Sequence, residues 1–393
     1  MKQSIQTKNL ARTAGSLIVY WVVFVSFFDN HSLLPLIAPY AKTLGASVEW
    51  IGVIVGAYSA INLIGNLGTG YWIDRLGRKM PMVIGLFIAA LALGAYPFVQ
   101  DANQLLGVRL AHGLGAALVS PASLALLGDR AQPGQRGKAM AFYGASIGLT
   151  TLIAPPLAGI MRDRWGFASV FVLLTGLLLG TAILAWAFVG ESKPAQQPGA
   201  SNGLASLRNR RLSVSYTSAF CLLFALGLLI VFLPLMSQDL GLKSAQTGML
   251  FASFALAAIM VMLLPTGRWS DRWGRQKPIV LGLALIGGAL ALMPVFASVN
   301  ALFALMFLYG IGFGVLFPAM TALVGDELPP AARGMGAGIF TAVFSLGATA
   351  GTLATGGLLA VQNAWGWHPF QTAAGLIALG IGWAIVALAP RKK

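Results

Sequence analysis

The chain has 393 residues, of which 57% are hydrophobic and 9% charged, and it carries a formal net charge of +15. Soluble domains average about 25% charged residues, so this composition excludes a soluble globular protein. The basic excess would suit a nucleic-acid surface, but Lys and Arg fall on alternate connections between apolar stretches, which is an orientation signal rather than a binding face.

In chain order, apolar stretches occupy 15–41, 48–73, 80–99, 103–128, 137–161 and 167–189 in the first half. In the second half they occupy 212–238, 244–267, 278–297, 300–325, 334–360 and 367–389. Each is near the length of about 20 residues that a helix needs to cross a bilayer. Short alternating segments of barrel type are absent from the sequence. These twelve stretches predict an all-α membrane protein made of two pseudo-symmetric six-helix bundles, 1–189 and 212–393. Between them, 190–211 reads GESKPAQQPGASNGLASLRNRR, a composition that predicts a flexible linker. The first stretch is too long for a cleaved leader and carries Asp29, so it is read as the first transmembrane helix.

The halves are related by duplication. Residues 70–79 read GYWIDRLGRK and 267–276 read GRWSDRWGRQ. One constant offset carries Gly70, Trp72, Asp74, Arg75, Gly77 and Arg78 onto Gly267, Trp269, Asp271, Arg272, Gly274 and Arg275. The same offset matches Gly85 with Gly282, Gly113 with Gly310, Gly115 with Gly312, and Asp129 with Asp326. Duplication in a hydrophobic chain predicts two equivalent bundles with a binding site between them. With the amino terminus inside, the outer connections hold Lys42, Arg162, Arg164 and Lys243, Arg109 lies inside a helix, and the remaining basic residues are cytoplasmic. The expected location is a cell membrane, bacterial and inner, with both termini cytoplasmic. Cys221, the one cysteine, excludes an internal disulfide.

Among the acidic residues Asp29 alone lies well inside a helix. A carboxylate at the bilayer centre costs roughly 2.5–3.5 kcal/mol, so it predicts either proton coupling or binding of a cation, against the simpler role of an ion pair that fixes packing. Arg109 is the basic residue inside a helix, and His112 follows at i+3 on the same face. His31, two residues from Asp29, points roughly opposite, so the two cannot face one cavity. The duplication sets the Arg109 face, with His112 and Ser120, against Met306, Tyr309, Phe313 and Phe317. Tyr58, Asn62, Tyr143 and Ser146 add polar positions at helical spacing, and Phe220 and Phe224 add aromatic ones. The pattern predicts a cavity with ion chemistry on the amino-terminal side and lipophilic contacts on the carboxy-terminal side, suited to a lipophilic or amphipathic substrate. Ordinary packing is the alternative for the aromatics.

The repeated loop, placed between helices 2 and 3 and again between 8 and 9, resembles the signature of the major facilitator superfamily, Gly-x-x-x-Asp-Arg-x-Gly-Arg-Lys. LLGVRLAHGLGAA resembles that family's helix 4 motif, with His112 where glutamine is usual. ASIGLTTLIAPPLAG is similar to its antiporter motif, where Pro155 and Gly159 fit and Thr150, Ala154 and Ala158 replace glycines. FFDNHSLLPLIAPYAKTLGAS resembles the twelve-helix drug:proton antiporter branch. The resemblance implies proton-coupled efflux by alternating access, with Arg109 linked to proton transfer. It also implies a cytoplasmic gate in which Asp74 contacts the start of helix 11, near Gly334–Gly338, and Arg78 pairs with a carboxylate such as Asp129. Gly70, Arg75, Gly77, Asp271, Arg272 and Arg275 complete the expected gate. Expected partners are the small-molecule substrate, protons and the bilayer, in a monomer that uses the proton gradient and no cofactor or metal. A lipid or glycolipid exporter and a sugar or metabolite facilitator are the alternatives within the fold. No HExxH or phosphate-loop pattern occurs, which argues against an enzyme.

Overall fold

The computed structural model describes residues 2–130, 136–192, 209–264, 274–296, 298–328 and 333–389, with side chains described except at 2–14, 66–76, 136–138, 333–335 and 337. The described residues are helical throughout, apart from turns. The first group of helices comprises α1 (Lys2–Ser32), α2 (Ile37–Thr43), α3 (Val48–Leu76), α4 (Lys79–Ala95), α5 (Ala102–Arg130), α6 (Arg136–Trp165) and α7 (Phe167–Phe188). The second comprises α8 (Arg210–Asp239), α9 (Ser244–Leu263), α10 (Gln276–Leu292), α11 (Val299–Glu327), α12 (Arg333–Leu353), α13 (Thr355–Trp365) and α14 (Pro369–Ala387).

Among the described residues, eight apolar helical stretches are long enough to span a membrane, and ten if each of two bent pairs is one span. The pair α1–α2 bends by 47°. Its break covers Pro35, which has no backbone N–H to continue the ladder. The pair α12–α13 bends by 50°. There the Thr352 and Thr355 hydroxyls donate to carbonyls one turn back, at 2.9 and 2.5 Å, a pattern that bends helices. One continuous apolar stretch, Ala139–Phe188, has 50 residues. Gly166 interrupts it at φ 79°. That length is far beyond the bilayer requirement of about 20 residues, so it crosses twice, as α6 and α7. The 17-residue α10 is a further, shorter apolar helix.

Helix ends follow ordinary capping chemistry. Asp101 Oδ1 accepts from the Asn103 and Gln104 amides at 2.8 and 2.9 Å, and Asn209 caps α8 through the Arg211 amide at 2.9 Å. The duplicated glycines explain themselves in the packing. A Cβ on Gly85 would lie 2.6 Å from the Gly115 carbonyl, and one on Gly282 would lie 2.8 Å from the Gly312 carbonyl. The crossing of α4 with α5 is thus repeated by α10 with α11, each requiring backbones in direct contact.

The two groups meet along α6 with α9 and along α3 with α12. Small residues again set the approach. Gly159 lies against the Ser244 carbonyl and Gly248 against the Pro155 carbonyl, while a Cβ on Gly52 would lie 2.5 Å from the Thr352 carbonyl. These contacts occupy the end of the molecule remote from the chain termini, here the distal end.

Candidate functional site

Asp29 is 3% exposed and His112 fully buried. Asp29 Oδ2 lies 2.7 Å from His112 Nε2. His112 Nδ1 lies 3.3 Å from the Tyr96 hydroxyl, to which Arg109 Nη1 donates at 3.5 Å. With Tyr96 accepting from Arg109 and donating to Nδ1, Nε2 carries the proton that faces Asp29. Four side chains from α1, α5 and the 3-10 turn Tyr96–Phe98 so form one directed chain ending on a carboxylate. Asp29 Oδ1 is buried and has no hydrogen-bond partner among the described residues.

Arg109 does not meet Asp29 in a salt bridge. Its guanidinium is 4% exposed and donates to the Ile54 and Val55 carbonyls, both at 3.4 Å. It also lies 4.7 Å from the centre of the Tyr58 ring, a cation–π contact. Tyr58 in turn meets the His112 ring edge-on at 5.2 Å. Sequence spacing placed Arg109 and His112 on one face; it gave no register against α1, and so did not say which of the two reaches Asp29. Tyr96 carried no sequence signal, because it sits at a helix end among apolar neighbours.

The other expected cavity residues fall into separate places. Asn62 is half-buried on α3, as is Ser120 on α5, whose carbonyl accepts from Ser123 at 3.0 Å. Tyr143 on α6 meets Phe27 edge-on at 6.1 Å, and Ser146 donates to the Phe142 carbonyl one turn back at 2.9 Å. Phe220 and Phe224 stack at 5.9 Å on α8, and Phe313 and Phe317 stack at 5.5 Å on α11. Phe317 continues onto Phe344 of α12 at 6.2 Å, giving an aromatic row across the second bundle. Met306 and Tyr309 are enclosed inside that bundle, Tyr309 donating to the Leu222 carbonyl at 3.5 Å, so they back the row rather than face open space.

At the end bearing the termini, Arg78 Nη1 pairs with Asp129 Oδ2 and also donates to the Ala125 carbonyl at 3.0 Å. Arg275 pairs with Asp326 at 2.7 Å, so the duplication extends to this ion pair. Gly77 and Gly274 adopt φ values of 85° and 76°, which L side chains rarely take. Glu191, not singled out in the sequence, accepts from the Arg78 and Lys79 amides at 2.6 and 3.0 Å and so caps α4. The side chains of Asp74 and Arg75, the environment of Gly70, and the whole of Asp271 and Arg272 lie outside the described residues. So does the expected contact of Asp74 with helix 11. A second unanticipated carboxylate, Asp163, reaches across the bundles and accepts from the Ser244 and Ala245 amides at 3.2 and 2.8 Å.

Two membrane-spanning bundles that meet through small residues, with ionisable groups held inside one of them, define a membrane carrier. The chain belongs to the Major Facilitator Superfamily, whose family profile matches residues 19–228 and 215–393. Multidrug resistance protein 2 of Bacillus subtilis is 26% identical over 409 residues, covering 98% of this chain and 97% of that protein. A multi-drug resistance efflux pump, the PmrA homolog of Lactococcus lactis, is 26% identical and covers 80% of each chain. Among solved structures, a bacterial homolog of the human lysosomal transporter Spinster, in an inward-facing and occupied conformation, superposes with a TM-score of 0.79. It is 15% identical and covers 96% of both chains, a likeness of fold.

Proposed function

We propose that this transporter exports lipophilic or amphipathic small molecules, cationic ones among them, in exchange for protons, by alternating access from a bacterial inner membrane with both termini cytoplasmic. The observation that carries the reading is the Asp29 carboxylate: paired through one oxygen to His112, it leaves the other buried without a partner. An unpartnered carboxylate oxygen in a low-dielectric interior is costly, and a proton or a cationic group relieves that cost. Proton and substrate therefore compete for one group, which is what exchange requires. Protonation of Asp29 removes its charge, weakens its hold on a cation, and leaves Arg109 and its carbonyl ligands unchanged. The cycle needs no cofactor beyond the proton gradient. The multidrug names of the two relatives agree with the apolar, aromatic second bundle.

The test uses everted membrane vesicles with an imposed pH gradient, to which ethidium, tetraphenylphosphonium or a neutral amphiphile is added. Wild type should dissipate the gradient and Asp29→Asn should not. Dissipation that persists in Asp29→Asn would refute the role of Asp29. Substrate flux in wild type with no proton movement would replace antiport with a facilitator, and flux restricted to lipids would favour a lipid exporter.

A further inference from the structure

The side of α1 away from Asp29 carries a second set of groups. Helix α1 packs against α5, α6 and α7, and its continuation α2 packs against α8 of the other bundle. Its remaining side is left partly exposed. Trp21 is exposed on that side, and Phe24, Phe27, Asn30 and His31 are partly exposed, at helical spacing. Trp21 and Phe24 stack at 5.6 Å, and Phe27 lies 5.9 Å from His31. An aromatic strip thus ends in two polar side chains near the middle of a membrane span.

The polar end is built, not incidental. His31 Nδ1 lies 3.0 Å from Thr150 Oγ1 and 3.2 Å from Thr151 Oγ1, and Nε2 lies 3.4 Å from Thr151 Oγ1. Both hydroxyls donate to the Ile147 carbonyl, at 2.8 and 2.9 Å. With those hydrogens directed at Ile147 the oxygens accept, which assigns the ring proton to Nδ1 and leaves Nε2 as an acceptor beside Thr151. Beside it, the Asn30 amide makes no side-chain hydrogen bond among the described residues. Polar groups within a membrane span are costly unless they serve a cavity or ligand.

We infer that Asn30 and His31 form a substrate-recognition subsite, separate from the Asp29 pair, that accepts a hydrogen-bond donor carried on an aromatic substrate. Aryl amines and phenols are the fitting class: the ring lies along Phe24 and Phe27, and its N–H or O–H donates to His31 Nε2. Helix α1 then presents proton chemistry to one side and substrate discrimination to the other. The inference deepens the export reading and rests on it for the substrate's lipophilic character.

Two lipophilic cations separate the contributions. Ethidium carries aryl amines, whereas tetraphenylphosphonium has no hydrogen-bonding group. Binding of each to the full chain in lipid nanodiscs is measured for wild type, His31→Phe, His31→Gln and Thr150→Gly. His31→Phe should weaken ethidium about tenfold, the scale of one lost hydrogen bond to a desolvated partner, and leave tetraphenylphosphonium within about twofold. His31→Gln, which keeps an acceptor, should restore part of the loss, and Thr150→Gly should weaken ethidium selectively. Equal loss for both probes, unchanged ethidium binding, or a wild type that binds neither overturns the subsite. A wild type that binds ethidium through His31 yet moves no protons in vesicles refutes antiport while leaving the subsite standing.

Discussion

At the scale of single residues, the Asp29–His112 pair is the most sensitive point in the protein. Removing the donor of a buried hydrogen bond to a carboxylate costs about 1.5–3 kcal/mol. His112→Ala should therefore lower thermal stability by that order and abolish proton-linked flux, and adding Asp29→Asn should recover stability without recovering flux. Thermal unfolding in detergent, beside the vesicle assay, checks both. Tyr96→Phe should act more gently. It removes the hydroxyl that accepts from Arg109 and faces His112 Nδ1, costs about 1 kcal/mol, and frees the imidazole tautomer. The expected outcome is a displaced pH–rate profile with near-normal substrate binding. Asp29 was legible in the sequence because a carboxylate inside an apolar helix is costly enough to stand out. Its partner was not, because 83 residues separate them and sequence periodicity fixes faces within a helix, not the register between helices.

At the scale of elements, carboxylates placed on helix amino termini tie one element to another. A helix amino terminus has unpaired N–H groups and a partial positive charge, so an acid there is favoured. Glu191 caps α4 in this way within the first bundle, and Asp163 caps α9 from across the bundles. Losing a cap costs about 1 kcal/mol, or roughly fivefold in a population. Asp163→Ala should therefore widen the distribution of distances between spin labels on the distal tips of α6 and α9 while leaving the fold intact. His368 caps α14 with its imidazole, Nδ1 accepting from the Phe370 amide at 3.2 Å. Burial lowers its pKa below the ordinary value, so the cap is fully present above about pH 6.5 and is lost as pH falls through the folded pKa. Hydrogen exchange at Phe370 should accelerate in acid accordingly. Neither cap could be foreseen at Asp163 or Glu191, since a loop acid in a sequence looks the same whether it faces solvent or another helix. The duplicated loop was legible for the opposite reason: its glycines and the Arg78–Asp129 and Arg275–Asp326 pairs are local geometry, stated twice.

At the scale of the whole molecule, the two bundles are held together distally by backbone against backbone. Gly248 has the Pro155 carbonyl where its Cβ would be, and Gly159 the Ser244 carbonyl. Gly248→Leu should prevent this approach, trap the protein with its distal end apart, and abolish transport while substrate still binds. Distal label distances and ethidium binding measured on the same sample check that outcome. The all-helical, two-bundle organisation was open to sequence reasoning because apolar length and duplication are properties of the chain alone. The choice of contacts that close one end was not, because glycines that pack and glycines that merely bend read alike.

The distal seam has one more consequence, for the cell's energy supply. A closure made of side chains can flicker open as rotamers exchange, on the scale of picoseconds to nanoseconds. A closure made of glycine and carbonyl has nothing to rotate, and only movement of a whole bundle parts it. An idle carrier closed in this way should leak little through its distal end, so many copies can be held in readiness without short-circuiting the membrane.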